Sequence, residues 1–324
     1  MVNDNVFEYH PLPSRDLELF TEADYNFLIE RLVEVKKMIR AFSDRRGLSE
    51  MKPTDIAIPL FALLIAVETL LSVRYEKTYD RKDVWTNIAL GFGSSFFGFV
   101  FGYIQAFFYD GIYNHVAPYQ MPMNTWWPWL IILFADDFLY YWFHRISHEV
   151  RFFWNFHVVH HSSNQYNLSV AVRQSWFSGI AHWMFYLPLA LMGFPLWSFI
   201  FMHGINLIYQ FWIHTKTIYK LPRPVEYVFN TPSHHRVHHG VNEQYLDKNY
   251  GGIFIFWDRL FGSFVEEDET VRYGIIKPIH SYNLLWINVH AWAEMLEAMR
   301  SAPGLGARLR CVFGPPAMNI EGKL

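Results

Sequence analysis

The chain has a single cysteine, Cys311, in 324 residues. That excludes an internal disulfide and any metal or iron–sulfur site built on several thiolates. A metal here would have to be held by nitrogen and oxygen. Charge is scarce too: Asp, Glu, Lys and Arg make up 18% of the sequence, against roughly 25% in soluble proteins. The net charge of −3 comes without a basic block or a nucleic-acid motif, so nucleic acid is not an expected partner. The N-terminus, MVNDNVFEYHPLPSRDLELF, has no positive segment followed by an apolar run, and no cleavable signal peptide is expected. There is no repeat of fixed period.

Apolar residues and histidine are abundant instead. Hydrophobic residues reach 52% and aromatics 19%. Apolar runs at 56–73, 86–109, 126–144, 176–192 and 196–213 approach the ~20 residues that cross a hydrocarbon core. Glu68 is the one charge of the first run, and closely spaced Gly and Ser in the second suit helix packing in a membrane. The third opens on the Trp cluster expected at an interface, carries Asp136 and Asp137, and runs into His144. Ahead of them, Tyr25, Leu28, Leu32, Val35 and Ile39 give 22–46 the spacing of a surface amphipathic helix. The expected fold is all-α: an integral membrane bundle of four or five membrane helices, capped by a histidine-rich di-metal domain. Its parts are a polar N-terminal segment (1–53), a catalytic domain (54–280) and a C-terminal tail (281–324). Of the 27 Lys and Arg, 19 fall beyond residue 55, in loops on the histidine side, which favours a cytosolic histidine side.

Twelve of the 16 histidines lie between 144 and 239. HRISH places His144 and His148 four apart, on one helix face. HVVHH gives His157, His160 and His161, and HRVHH gives His235, His238 and His239, both as H-x-x-H-H. In that pattern the first and fourth residues share a face, and the adjacent histidine points to a neighbouring position. Eight imidazoles exceed what one ion takes, so two metals with about four nitrogens each is the simplest division. Imidazole alone does not name the metal. His214, at the exit of the fifth run in YQFWIHT, is the candidate ninth ligand. His234, out of phase with its group, is expected behind the ligands, and His203 is intermediate. His10, His115, His182, His280 and His290 stand alone and are read as structural. A zinc protease is disfavoured because Phe152 stands where H-E-x-x-H needs its second histidine. A metal carrier or bis-histidine haem protein is the non-enzyme alternative.

In this order, interleaved with apolar runs, the three histidine patterns resemble the membrane fatty acid hydroxylase and sterol desaturase superfamily. The strings YYWFHRISHE, HHSSNQYNLSVAVRQS, YQFWIHT, NTPSHHRVHHG and DKNYGGIFIFWDRLFGSF resemble its ether-lipid-cleaving branch, the alkylglycerol monooxygenases. The resemblance covers roughly 125–280. It implies two iron ions, dioxygen as oxidant, tetrahydrobiopterin as electron donor and a lipid substrate, with oxygen inserted at the carbon beside an ether oxygen. It also implies an integral membrane protein, of the endoplasmic reticulum in a eukaryote or the inner membrane in a bacterium. A sterol or fatty-acyl hydroxylase or desaturase of the same superfamily would keep every ligand and change only the lipid pocket.

Carboxylates and polar groups near the patterns complete the candidate site. Metal-bound histidines commonly give their second N–H to a carboxylate or carbonyl, so Asp136, Asp137, Glu149, Asp247 and Asp258 are expected near the ligands. Asp136, buried in an apolar run, and Glu149, beside His148, are the catalytic candidates. Glu149 could bind pterin or relay protons. Asn164, Gln165, Asn167, Arg173 and Gln174 follow the second histidine group directly. They supply neutral donors and one fixed cation suited to a glycerol head, and Asn164, Asn167, Arg173 and Gln174 are the substrate candidates.

Overall fold

The computed structural model describes residues 53–75 and 80–316. The expected amphipathic helix 22–46 and His10 lie outside the described residues. Among those described, all regular structure is helical, with two isolated bridges, Phe229–Phe254 and Gly240–Tyr273.

The first helices follow the apolar runs. α1 is Pro53–Tyr75 and α2 is Arg81–His115. Asp80 caps α2, accepting the backbone N–H groups of Lys82 and Asp83. By length and composition α2 is the one helix, among the described residues, long and apolar enough to cross a membrane; 57–72 is a shorter apolar helix. At 35 residues and ~1.5 Å per residue, α2 extends well beyond a ~30 Å hydrocarbon core. α3, Trp127–Glu149, starts with Pro128 in its first turn, where a missing N–H costs nothing, and ends at Val150 in extended conformation. The chain then turns back into α4, Arg151–His161.

The apolar run 176–192, expected as a fourth crossing, is not one helix. It breaks into short 3-10 turns at Ser178–Ile180 and His182–Tyr186 and a five-residue helix, α5, Leu187–Leu191. Pro188 falls in the first turn of α5, where it cannot donate to the turn before it. α6, Leu196–Trp212, matches the last apolar run.

Packing explains how this layer supports the rest. Tyr109, Ile132, Tyr186, Leu189, Phe194 and Phe199 form one buried cluster between α2, α3, α5 and α6. Phe61 of α1 stacks on Phe211 of α6 at 3.7 Å between ring centroids. At Gly91 the loop after α4 comes so close that a Cβ would stand 2.7 Å from the Val172 carbonyl oxygen, so only glycine fits.

Past α6 come three short helices: α7, Arg223–Val228; α8, Pro232–His238; and α9, Phe256–Phe261. The segment expected as a tail carries two more. They are α10, Leu284–Ser301, and α11, Gly304–Phe313, and both pack on α4. Leu90, Val159 and Ile287 join α2, α4 and α10 in a second buried cluster.

Candidate metal centre

Four elements bring the histidines together. His144 and His148 occupy the last turns of α3, and α4 carries His157, His160 and His161. His214 follows the C-terminus of α6 by two residues, its backbone N–H bonded to the Phe211 carbonyl. α8 holds His235 and His238, and His239 is its C-cap. Pro232 at the start of α8 presets its φ, which helps so short a helix to form.

The nine imidazoles divide into two groups. One is His144, His148, His157, His161 and His238; the other is His160, His214, His235 and His239. Within each group the candidate ligand atoms lie within 4.8 Å of one another. Both H-x-x-H-H patterns are split. In both it is the first and fifth histidines that go together, not the first and fourth as expected: His157 and His161 face one group while His160 faces the other, and His235 and His239 stay together while His238 parts from them. Neighbours on a helix differ by about 100°, so adjacent histidines cannot serve one ion equally.

Backbone carbonyls fix the rings. His144 Nδ1 donates to the Tyr250 carbonyl at 2.8 Å, and His160 Nδ1 to that of Arg173 at 3.2 Å. His214 Nδ1 donates to Gln210 at 2.7 Å, and His238 Nδ1 to Lys248 at 3.0 Å. A carbonyl only accepts, so each of these rings holds its proton on Nδ1 and presents a bare Nε2 lone pair. His160 and His214 are both fixed in this way, and their Nε2 atoms stand 3.2 Å apart. Other Nε2 pairs are as close: His214–His235 at 2.9 Å, His144–His157 at 3.0 Å, and His157–His161 and His161–His238 at 3.1 Å. Two nitrogens each ~2.1 Å from one ion, at angles of about 90–110°, stand roughly 3.0–3.4 Å apart. His148 Nε2 and His239 Nε2 are buried without a partner. The donor set therefore fits metal ions that accept imidazole nitrogen.

Burial disfavours charge on the imidazoles of both H-x-x-H-H patterns. It pushes His160 down to about 4, against the opposing hydrogen bond to the Arg173 carbonyl. It pushes His157, His161, His235, His238 and His239 well below the ordinary histidine value, and neighbouring imidazoles add to the effect. Neutral imidazole is the ligating form.

The carboxylates act one layer further out than the sequence suggests. The second N–H of His144, His160, His214 and His238 goes to a carbonyl rather than a carboxylate, and His235 Nδ1 is buried without a partner. Of the nine clustered histidines, only His148 approaches a carboxylate among the described residues, its Nδ1 lying 3.7 Å from that of Asp247. Asp258 accepts the N–H groups of Tyr250 and Gly251 at 2.7 and 2.8 Å and the Ser263 hydroxyl at 2.7 Å. It thereby aims the Tyr250 carbonyl at His144. Asp137 accepts the N–H groups of Ile253 and Phe254 and the Trp257 indole. At Gly252 a Cβ would stand 2.7 Å from Asp137 Oδ1, so the loop can pass only as glycine. Asp247 and Asn249, both at φ 57°, flank the Lys248 carbonyl that receives His238. That left-handed conformation is uncommon outside glycine, with Asn and Asp its usual exceptions.

The remaining candidates have definite places. Asp136 belongs to neither histidine group; it accepts His203 Nδ1 at 3.2 Å and Asn206 Nδ2 at 3.0 Å. Glu149 is exposed and pairs with Arg145 at 2.8 Å. Arg173 is buried, donating to the Val159 carbonyl, Ser162 and Asn87 with Asp83 at 3.6 Å. It grips the C-terminal end of α4 while its own carbonyl holds His160. Asn167 is buried as a cap, accepting the Ser169 N–H and hydroxyl. Asn164 is exposed and Gln174 half-buried, its Nε2 3.3 Å from the Ala171 carbonyl. His234 turns away from both groups towards Glu226, at 2.8 Å. His182 packs among Phe143, Tyr186 and His203.

Two tyrosines escape a reading based on spacing. Tyr250 lies against His144, His148 and His238, and its buried hydroxyl has no partner. Tyr166 lies against His239 and His214 and donates to the Ile213 carbonyl. An aromatic residue carries no ligand period, so only its position in the quoted strings hinted at either.

Fold and site together define a helical protein with paired all-imidazole groups beside an apolar helix layer. Residues 129–263, which contain all nine clustered histidines, match the fatty acid hydroxylase family. The chain is similar to alkylglycerol monooxygenases, as its motifs imply. That of Homo sapiens is 39% identical over 266 residues, 82% of this chain and 59% of that protein. That of Xenopus tropicalis is 38% identical over 258 residues, 79% of this chain and 57% of its own length. That of Danio rerio is 36% identical over 268 residues, 82% and 59% respectively. This chain thus spans less than two thirds of the length of these relatives. No solved structure matches it significantly.

Proposed function

We propose that this chain is a membrane lipid monooxygenase, an oxidoreductase that holds two iron ions, one in each histidine group, and acts on alkylglycerols. The observation that carries the metal reading is the His160–His214 contact, two bare lone pairs at 3.2 Å that repel unless a cation lies between them. Bound iron would supply the site at which dioxygen is reduced. One oxygen atom enters the C–H bond beside the ether oxygen and the other leaves as water, with two electrons and two protons from tetrahydrobiopterin. The hemiacetal then breaks its C–O bond to give a fatty aldehyde and a glycerol derivative.

The chain's own residues hold this arrangement. Carbonyls of Gln210, Arg173, Tyr250 and Lys248 set ring orientation and tautomer. Burial disfavours protonation of the imidazoles of both H-x-x-H-H patterns. Arg173 and Asn167, committed to the fold around α4, position His160 and leave head-group recognition to Asn164 and Gln174. Glu149, exposed one residue past His148, is the carboxylate available to the pterin, while Asp136 serves His203 and Asn206 within the helix layer. The catalytic region is 54–280, and the apolar segments at 56–73, 86–109, 126–144, 176–192 and 196–213 form the membrane layer, the fourth as a broken segment. Exposed apolar side chains such as Phe99 and Phe107 on α2, Phe134 on α3 and Ile200 on α6 support lipid contact on those helices.

The test is direct. Membranes containing the iron-loaded protein are incubated with an alkylglycerol, tetrahydrobiopterin and oxygen. Fatty aldehyde that requires all three is expected. Iron-loaded protein that gives no aldehyde but hydroxylates a sterol or an acyl chain would contradict the ether-lipid assignment.

A further inference from the structure

We propose that α11 is an interfacial helix that lies in the phosphate layer of the bilayer and fastens the histidine layer to the membrane at a point separate from α2. A helix on the surface of a water-soluble protein turns its apolar stripe inward. α11 does the reverse. Its inward face is small: Ala307 and Cys311, four residues apart, pack against Ala298, Met299 and Ala302. Its outward face is Leu305, Leu309 and Phe313, exposed by 73%, 48% and 62%. At about 100° per residue these three span an arc of roughly 80°. Arg308 and Arg310 lie on either side of that arc, and α11 contains no carboxylate. Neighbouring α10 is different, with exposed Glu294 and Glu297 towards its C-terminus.

Charge and continuity identify the occupant as lipid. An apolar stripe bordered by arginines matches a helix lying in the bilayer interface, with Leu and Phe among acyl chains and guanidinium groups reaching up to phosphates. The bilayer is close at hand. α10, on which α11 packs, meets α2 through Ile287 and Leu90, and it exposes Leu285 and Trp286 at its N-terminal end, where Trp suits a membrane boundary. The seating has a consequence for the site. The Gly314 carbonyl, just past α11, accepts the N–H of Arg151 at 2.9 Å, and Arg151 is the first residue of α4. A lipid-seated α11 therefore steadies the helix that carries His157, His160 and His161.

Spin-label accessibility tests this in full-length protein reconstituted in phosphatidylcholine–phosphatidylglycerol vesicles. In a Cys311→Ala background, single substitutions Leu305→Cys, Leu309→Cys, Phe313→Cys and Arg308→Cys are labelled, with Phe99→Cys on α2 as the lipid-facing control. Labels at 305, 309 and 313 are expected to collide several-fold more with oxygen than with a water-soluble nickel chelate, as at 99, and the label at 308 to show the reverse. A lipid-soluble photoreactive carbene on the unsubstituted chain should mark the same three residues, which covers the case in which Cys311→Ala disturbs packing. Preferential collision with the nickel chelate would overturn the proposal by placing the stripe in water. Shielding from both reagents would overturn it too, by placing a second copy or another segment of this chain over the stripe.

Discussion

At the scale of single residues, a hydrogen-bonded tautomer matters more than the presence of an imidazole. His214 is buried, its Nδ1 proton is committed to Gln210, and its Nε2 faces both His160 and His235. His182 is surrounded by rings and belongs to neither group. His214→Ala is therefore expected to abolish turnover and to lower metal content, measured by elemental analysis of purified protein. His182→Ala should leave both nearly intact; equal behaviour of the two variants would contradict the assignment of His214. Acidity acts on the same rings. In the folded state His160 stays unprotonated until pH falls to about 4, whereas an unperturbed histidine takes up its proton near 6.5. Between those values the unfolded chain binds more protons, so stability rises with pH and is lost as pH falls from 6.5 towards 4. For His160 alone the loss is on the order of 3 kcal/mol, and the other depressed imidazoles add to it. Thermal melts of metal-free protein at pH 7, 6 and 5 should show a falling midpoint.

At the scale of elements, sequence periodicity reveals which helices carry ligands but not how their ligands are shared. The i, i+4 spacing of His144 and His148 places them on one face, and the structure keeps them in one group. The same i, i+4 spacing keeps His157 with His161 and His235 with His239, but which group each pair joins depends on where α3, α6 and α8 approach α4, and no local pattern encodes that. The carbonyl partners were equally hidden. Tyr250 lies 106 residues from His144, and any residue type offers a carbonyl. Hydropathy also misled at 176–192, because it registers apolar content and not the 3-10 turns and Pro188 that break the helix. Glu68 is the opposite case: a lone carboxylate legible in an apolar run, with its role visible only in the fold. It accepts the Leu168 N–H at 2.6 Å and the Thr215 hydroxyl at 2.7 Å, tying α1 to the loop after α4 and to the residue next to His214. Glu68→Ala removes an acceptor at both contacts, each worth ~1.5–3 kcal/mol when the acceptor is charged. Metal affinity is expected to fall by about 10–100-fold, as for loss of a contact behind the ligands, with the fold retained by circular dichroism and partial recovery in Glu68→Asp. Undiminished metal binding in Glu68→Ala would remove Glu68 from any positioning role.

At the scale of the whole molecule, an apolar helix layer presents nine imidazoles as two groups, with no thiolate in either. Composition anticipated part of this, since a chain with one cysteine can hold a metal only through nitrogen and oxygen, and its clustered histidines supply the nitrogen. The central claim is that each group holds one iron, and the measurement that tests it most directly is the metal-to-chain ratio of active protein. Protein produced in iron-supplemented cells is purified and its metals are quantified alongside aldehyde formation from an alkylglycerol. About two irons per chain, with activity rising and falling with iron content, is the expected result. Inactive zinc-loaded material is also compatible, because imidazole sites prefer Zn(II) to Fe(II). Full activity with a single tightly bound zinc and no iron would contradict the account.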